Sequence, residues 1–200
     1  ENGANAVKFQ TIVPERLVSI AHAERIQQLR RFQFGYEQFE RLAEESRRRN
    51  VLFLSTPFDI ESARFLNGLV PAFKIASGDN TFFPLLDVIV RTGKPIILST
   101  GLLALSEVAA AKEFIESRWR ETEIQQELAV LHCVVSYPTP PEEAHLLAIR
   151  NLQTLGLTVG YSDHTLGIEA AVLAVAVGAR IIEKHFTLNK NQSDFRDHRL

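Results

Sequence analysis

Two histidines near the end of the chain are the residues whose surroundings point most clearly to chemistry. The apolar, strand-like run Thr158–His164 ends in one, and the run Arg180–His185 ends in the other. Between them, Gly167–Gly178 has the pattern of a buried helix closed by glycine. A strand, a helix and a second strand form a parallel unit, so both imidazoles are expected at one carboxyl edge of a sheet. A single histidine there would more often form a hydrogen bond in a polar rim, but two together predict a metal site.

Strand-like runs alternate with helical patterns along the chain, and this alternation must position the histidines. The strands are predicted at Ala6–Gln10, Val51–Ser55, Ala72–Ala76, Pro95–Ser99, Leu128–Cys133, Thr158–Tyr161 and Arg180–His185. The helices are predicted at Tyr36–Arg49, Ile60–Leu69, Thr81–Arg91, Ser106–Ser117, Glu142–Leu155 and Ile168–Val177. The pattern predicts an α/β fold, a (β/α)₈ TIM barrel that lacks its first strand and last helix. A doubly wound open sheet is the structural alternative, although no glycine-rich dinucleotide turn follows the first strand.

Composition narrows the class of protein. The chain has 200 residues, 46% of them hydrophobic, so residues 1–200 are expected to form one domain with a real core. The net charge of −2, with no basic block, argues against nucleic acid as a partner. The single cysteine, Cys133, lies in an apolar run and fits a reducing compartment. No apolar stretch is long enough to span a bilayer and no signal peptide opens the chain, so we expect a cytoplasmic protein without a membrane partner.

Lysines and hydroxyl groups lie at or near the ends of the other predicted strands. Lys8 and Gln10 are two residues apart and therefore share a strand face, and Lys74 lies in the third predicted strand. Serines, threonines and glycines follow the third and fourth strands, and such glycines expose backbone N–H groups. An unpaired cation in a buried strand would be costly, so we expect Lys8 and Lys74 to hold a small phosphorylated anion.

The same segments, in the same order, resemble the N-acetylneuraminate (sialic acid) synthase family. The resemblance is carried by Ala6–Gln10, Ser55–Asp59, Phe73–Asn80, Lys94–Gly101, Tyr137–Pro140, Gly160–Thr165 and Ile182–Thr187. It implies a (β/α)₈ barrel enzyme that condenses phosphoenolpyruvate with N-acetylmannosamine or a related amino-sugar aldehyde and releases phosphate. It also implies a divalent metal ion, Mn²⁺ or Mg²⁺, and a homodimer in the full-length protein.

The resemblance also implies a role for each site residue. The metal ligands are His164 and His185. The residues that match the phosphoenolpyruvate positions are Lys8, Lys74, Ser77, Ser99 and Ser162, and those near the sugar are Gln10, Asp79, Tyr137 and Asp197. Thr56 lies in a matching segment and is expected to bind substrate. Glu183 shares a strand face with His185 and could orient a water molecule or the metal shell, although a buried salt bridge with a lysine is an equal alternative.

The sequence departs from the family pattern at two places. Val135 stands where the family commonly carries serine or asparagine, and the loop 191–198 differs from the usual Pro-Gly-Pro-Asp form. An acidic residue of the family's first strand and its C-terminal antifreeze-like domain are expected to be absent. Two functional alternatives stay open: a Schiff-base sugar aldolase that uses Lys74 or Lys184, and a non-catalytic sugar-binding barrel. The acceptor sugar is not determined, whether mannosamine, its 6-phosphate or a precursor of legionaminic or pseudaminic acid.

Overall fold

The structure, a computed structural model, describes residues 3–191 and 195–200. In these ranges the strands are β1 (Ala6–Thr11), β2 (Leu52–Pro57), β3 (Phe73–Ile75), β4 (Ile96–Ser99), β5 (Leu128–Cys133), β6 (Thr158–Asp163) and β7 (Ile182–Lys184). The α-helices are α1 (Pro14–Leu17), α2 (Ala23–Arg30), α3 (Tyr36–Arg48), α4 (Ile60–Leu66), α5 (Phe83–Val90), α6 (Leu105–Glu121), α7 (Ala148–Gln153) and α8 (Glu169–Val177). Short 3₁₀ turns lie at Ser77–Asp79, Pro141–Glu143 and Arg196–Arg199. The α/β class is therefore confirmed.

The order of the strands follows the chain. β1 pairs with β2 in parallel, and β3 to β7 are hydrogen-bonded neighbours in the order β3-β4-β5-β6-β7. The β5–β6 and β6–β7 pairs are also parallel. Among the described strands this order does not reverse, whereas a doubly wound sheet requires a reversal at its switch point. The complete barrel and its missing strand and helix stay a prediction.

The chain divides into two compact units, the first of which contains Glu1–Ile75, Thr81–Ile96 and Ile115–Glu127. Its core includes the buried side chains of Phe39, Phe53, Leu66 and Phe73. Asp59 is the N-cap of helix α4, and its carboxylate accepts hydrogen bonds from backbone N–H groups of the first turn at 2.9 and 3.0 Å. This N-cap satisfies donors that have no partner within the helix.

The second unit contains Ala76–Asn80, Ile97–Phe114 and Leu128–Leu200. Strands β5, β6 and β7 are parallel neighbours in this unit, and Leu131, Val159 and Tyr161 are buried there. A Cβ atom at Gly160 would collide with the Ile181 carbonyl and the Leu131 side chain, so β6 can pack here only with glycine. Residues 192–194, part of the loop that departs from the family pattern, lie outside the described residues.

Several predicted element boundaries are wrong. The helix predicted at Glu142–Leu155 is split into a 3₁₀ turn and α7, because His145 has a left-handed φ of 45° that a right-handed helix cannot continue through. Strand β7 is shorter than the predicted Arg180–His185, so His185 follows the strand rather than ending it. Helices α1 and α2 were not predicted, although a proline at the first position of α1 is a helix-start signal.

Helix α8 is not the buried helix that its composition predicts. Its C-cap, Gly178, has the expected left-handed conformation with a φ of 116°. Ala170 and Ala174 are its buried residues, whereas Val172, Leu173 and Val175 are each more than half exposed. A uniformly apolar sequence does not specify which side of a helix is covered.

No helix in the described ranges combines the length and the apolar character needed to cross a membrane.

Candidate functional site

The two histidines lie next to each other at the carboxyl ends of two parallel strands. Strand β6 ends at Asp163 and β7 ends at Lys184, and these residues are directly opposite in the register. His164 and His185 follow them immediately, and their ring centroids are 5.4 Å apart with an angle of 59° between the planes. The structure therefore brings the two predicted metal ligands together.

His164 is oriented by the backbone immediately after the neighbouring strand β5. Its Nδ1 atom lies 2.8 Å from the Val134 carbonyl oxygen. A carbonyl can only accept, so Nδ1 donates its proton and Nε2 remains available as a metal ligand. Burial lowers the pKa of His164, although the Val134 carbonyl and nearby carboxylates act in the opposite direction. The lowered pKa favours the neutral imidazole, which is the form that binds metal.

Tyr137 packs against both imidazoles. Its ring centroid is 4.2 Å from that of His164 and 5.9 Å from that of His185. Burial, together with the nearby thiol of Cys133 and the carboxylates of Asp197 and Glu183, raises the pKa of the Tyr137 phenol, so the hydroxyl keeps its proton. Asp197 Oδ2 lies 3.9 Å from His185 Nδ1, so this predicted sugar contact is close to the second histidine.

The spacing of the histidines fits one shared cation. With nitrogen ligands roughly 2.0–2.3 Å from an ion and bond angles of roughly 90–110°, two imidazole centroids lie about 4.4–5.6 Å apart. The observed 5.4 Å is within that range. No cluster of three or more histidine, cysteine, aspartate or glutamate residues suited to a metal occurs among the described residues. The metal site itself stays a prediction.

Ser162 and Glu183 form a cross-strand pair just before the histidines. They are directly opposite in the β6–β7 register, and the Ser162 hydroxyl donates to Glu183 Oε1 at 2.8 Å. Because side chains alternate along a strand, this pair and the two histidines belong to the same strand face. Glu183 thus lies on the strand face of the imidazoles, and its predicted role of orienting a water molecule or the metal shell stays a prediction.

Asp163 and Lys184 form an ion pair that the sequence analysis did not assign to the site. Lys184 Nζ lies 2.8 Å from Asp163 Oδ2 and donates a second hydrogen bond of 2.8 Å to the Thr165 carbonyl. Burial alone would raise the pKa of Asp163, but Lys184 and the hydrogen bonds from Thr165 hold it below its ordinary value. Lys184 and His185 are adjacent, so the sequence alone indicates that their side chains lie on opposite faces of the strand. That Asp163 is the partner of Lys184 depends on the register of β6 and β7.

A second group of predicted residues lies in the turn after β3 and the loop after β4. The Gly101 N–H donates to Ser77 Oγ at 3.1 Å, and the buried Asn80 amide donates to the Ser99 and Gly101 carbonyls at 3.3 and 3.0 Å. A Cβ atom at Gly101 would lie 2.7 Å from Ser77 Oγ and 2.7 Å from the Val135 side chain, so the turn and the loop are closely packed. Asn80 and Gly101 were not predicted as site residues.

Asp79, in the same turn, has an incompletely satisfied carboxylate. Its Oδ2 atom is buried and has no hydrogen-bond partner among the described residues. Burial raises the pKa of Asp79 to about 6. A carboxyl group with such a pKa can hold or release a proton near neutral pH, which is a property of general acids and bases.

The remaining predicted residues belong to the first unit. In the β1–β2 register Lys8 is opposite Leu54, and the exposed Gln10 is opposite the buried Thr56. Lys74 in β3 is only 3% exposed, and its Nζ donates to the Ile75 carbonyl at 3.0 Å. The prediction that these lysines and Ser99 bind one anion joins residues of both units and stays a prediction.

Comparison with known proteins gives a consistent result. The model of the NeuB family matches residues 1–200. The chain is 44% identical over 200 residues to an uncharacterised protein of Methanocaldococcus jannaschii, covering 99% of this chain and 57% of that protein. It is 38% identical over 208 residues to the N,N'-diacetyllegionaminic acid synthase of Campylobacter jejuni, covering 96% of this chain and 61% of that protein. The chain thus spans about three-fifths of the length of these curated relatives.

Among solved structures, the fold is similar to that of an N-acetylneuraminic acid (sialic acid) synthetase. That protein is from Leptospira borgpetersenii serovar Hardjo-bovis and was crystallised with citrate. The two share 36% sequence identity with a TM-score of 0.90, over 98% of this chain and 67% of the other.

Proposed function

Because the chain belongs to the NeuB family, we propose that it carries catalytic residues of a synthase that joins phosphoenolpyruvate to an amino-sugar aldehyde. The product would be a sialic-acid-like nonulosonate, formed with release of phosphate. One observation carries the proposal: the imidazoles of His164 and His185 lie 5.4 Å apart at the ends of adjacent parallel strands. The resemblance to sialic and legionaminic acid synthases supports the reaction class.

His164 and His185 would hold a divalent cation, Mn²⁺ or Mg²⁺. When bound, such an ion supplies a Lewis acid for the aldehyde, and two protein ligands leave positions for water and substrate. Tyr137 contacts both rings and, with its proton retained, can donate a hydrogen bond at the sugar side. Glu183, fixed by Ser162, can orient a water molecule on the same strand face.

For phosphoenolpyruvate we propose the residues that the resemblance implies, Lys8, Lys74, Ser77, Ser99 and Ser162. In this proposal the ammonium group of Lys74 provides the positive charge that binds the phosphate or the carboxylate of phosphoenolpyruvate. Gln10, Thr56, Asp79 and Asp197 complete the proposed substrate contacts. As a test, Lys74→Ala should raise the Michaelis constant for phosphoenolpyruvate more than that for the sugar. An unchanged constant for phosphoenolpyruvate would assign Lys74 a structural role instead.

The chemistry requires that charge be stabilised in two successive steps. The enol carbon of phosphoenolpyruvate attacks the aldehyde carbon and forms the new carbon–carbon bond. The π bond of the aldehyde breaks, its oxygen takes up a proton to become a hydroxyl, and an oxocarbenium centre is left at the adjacent carbon. Water adds to this centre and loses a proton, and the tetrahedral adduct collapses by breaking its carbon–oxygen bond to phosphate. Lysine side chains stabilise the charge of the adduct and of the departing phosphate. Asp79, with its raised pKa, is a suitable group for holding a proton near the sugar.

A Schiff-base aldolase is the second candidate, and the structure argues against one of its two lysines. Lys184 is paired with the fully buried Asp163, and its charge stabilises that carboxylate. A nucleophilic amine must instead be neutral. Borohydride trapping of a substrate adduct would support the aldolase for Lys74, and no trapping is expected.

The oligomeric state, the cellular location, the complete barrel and the acceptor sugar are also proposals. We propose a homodimer in the cytoplasm and a (β/α)₈ barrel to which β1–β7 belong. The acceptor is an amino-sugar aldehyde of the mannosamine, mannosamine 6-phosphate or bacillosamine type.

The proposed function is tested by phosphate release from the full-length protein with phosphoenolpyruvate and a panel of these sugars. We expect release that depends on one sugar and on added Mn²⁺ or Mg²⁺. His164→Ala and His185→Ala should each reduce turnover by at least about a hundredfold while leaving the circular dichroism spectrum unchanged. His145→Asn, an exposed histidine with a left-handed φ that asparagine tolerates, is the matched control. Metal-independent turnover, or full activity of both alanine variants, would contradict the proposal.

A further inference from the structure

Lys184 contacts the residues on both sides of His164 in the sequence. Its Nζ atom lies 2.8 Å from the Asp163 carboxylate and 2.8 Å from the Thr165 carbonyl oxygen. In its own strand, Lys184 is the residue immediately before His185. One ammonium group therefore connects the backbone segments that carry the two imidazoles.

The Asp163 carboxylate also bonds directly to Thr165, the residue on the other side of His164 in the sequence. Its Oδ1 atom accepts hydrogen bonds from the N–H and the hydroxyl of Thr165, both at 2.8 Å. The Asp163 side chain is fully buried, while that of Lys184 is 22% exposed. With few competing water molecules around Asp163, these charge-assisted hydrogen bonds fix the local geometry more firmly than an exposed pair would.

The ion pair does not share a strand face with the histidines. Asp163 and Lys184 are directly opposite in the β6–β7 register, and alternation places them on the face opposite to His164 and His185. They are thus separate from the groups that would contact substrate. A buried ion pair gives little net stability compared with a well-packed apolar pair, so its distinctive contribution is a fixed geometry.

We propose that Asp163 and Lys184 are positioning residues that set the separation of His164 and His185 and so the affinity of the site for a divalent cation. The inference rests on the proposed function, because it assumes one cation between the imidazoles. Residues that orient metal ligands, without touching the metal, change its affinity by about 10–100-fold when they are replaced.

The test is direct binding of Mn²⁺ to the intact protein by calorimetry, with the visible absorption of bound Co²⁺ as a second readout. Lys184→Met should weaken Mn²⁺ binding by about 10–100-fold and alter the Co²⁺ spectrum. Lys184→Arg, which keeps the charge, should restore part of the affinity. Lys190→Met, an exposed lysine of the same region, is the control and should bind as the unmodified protein does.

A double variant serves if Lys184→Met does not fold because the buried charge of Asp163 has lost its ion-pair partner. D163N/K184M removes both charges and should fold, as checked by circular dichroism, yet still bind Mn²⁺ weakly. If the unmodified protein binds no Mn²⁺, both the metal site and this inference are wrong. If the unmodified protein binds Mn²⁺ and the folded variants bind it equally well, only the positioning role is wrong.

Discussion

Asp163 and Asp79 both place carboxylate oxygens away from solvent at the candidate site, but the donors around them differ. Asp163 accepts hydrogen bonds from Lys184 and twice from Thr165, and its pKa lies below the ordinary value despite burial. Asp79 has an Oδ2 atom with no partner among the described residues, and burial raises its pKa to about 6. The Asp163 carboxylate thus already has its hydrogen-bond donors within the protein. The Asp79 carboxylate keeps an acceptor atom available, as a group that binds a ligand should.

The largest effect is expected from removing the negative charge of Asp163, the carboxylate that already has hydrogen-bond donors. Asp163→Asn should lower the free energy of unfolding by about 3 kcal/mol at pH 7, because it leaves the Lys184 charge without its partner. The lowered pKa of Asp163 means that its contribution is present above the ordinary value of 3.8 and is lost as the pH falls through the folded-state pKa. Urea unfolding of both proteins at pH 7 and pH 3.5 should therefore show a smaller difference at the lower pH.

Asp87→Asn is the control for this measurement. Asp87 pairs with Arg91 at 2.8 Å in a more exposed setting. We expect a loss of no more than about 1 kcal/mol from that variant. Equal losses at the two positions would mean that burial of the Asp163 pair is unimportant.

A glycine comparison tests whether the turn that carries Asp79 is tightly packed. Gly101→Ala should cost about 1–3 kcal/mol, because the new methyl group meets Ser77 Oγ and Val135. Gly78→Ala, in the turn that carries Asp79, is the control, since a Cβ atom at Gly78 meets nothing within 4 Å. Unfolding in urea measures both. If Gly101→Ala is as stable as Gly78→Ala, the turn is loosely packed and its packing does not hold the Asp79 carboxylate in place.

Asp79→Asn should have the opposite sign to Asp163→Asn. A raised pKa means that the folded state binds more protons than the unfolded state between about pH 4 and pH 6, so the group lowers stability as the pH rises. The amide removes the buried charge and should raise stability at pH 7.5 by up to about 2 kcal/mol, allowing for partial exposure of the side chain. At pH 4 the gain should vanish. A gain that is independent of pH would show that the charge of Asp79 is not its cause.

The smallest effect refines the description of Asp163. Thr165→Val keeps the shape and the backbone N–H of residue 165 but removes one of the donors to Asp163. We expect a loss of about 1 kcal/mol at pH 7, the usual value for one hydrogen bond. Thr158→Val, at an exposed position of the same strand, is the control and should change little. A larger loss at Thr158 would contradict the role assigned to the Thr165 hydroxyl.

The sequence predicts the neighbouring positions of His164 and His185 well, because the rule that parallel strands share a carboxyl edge needs no knowledge of register. The Asp163–Lys184 pair escapes such reasoning, since it depends on which residues are opposite in β6 and β7. Asp79 was predicted as a site residue from the family resemblance, but that its Oδ2 atom has no hydrogen-bond partner within the described ranges can be recognised only in three dimensions. The exposed face of α8 was missed because Val172 and Leu173 look like core residues in any helical pattern.

The position of Cys133 provides a chemical reporter of the site. It is the chain's one thiol, it is 8% exposed, and its Sγ atom lies 3.9 Å from His164 Nδ1. An alkylating reagent can thus add a single label, which a mass measurement counts directly. The rate of alkylation then measures how often the residues that cover Cys133 beside His164 move apart. A molecule that binds over the site should lower this rate.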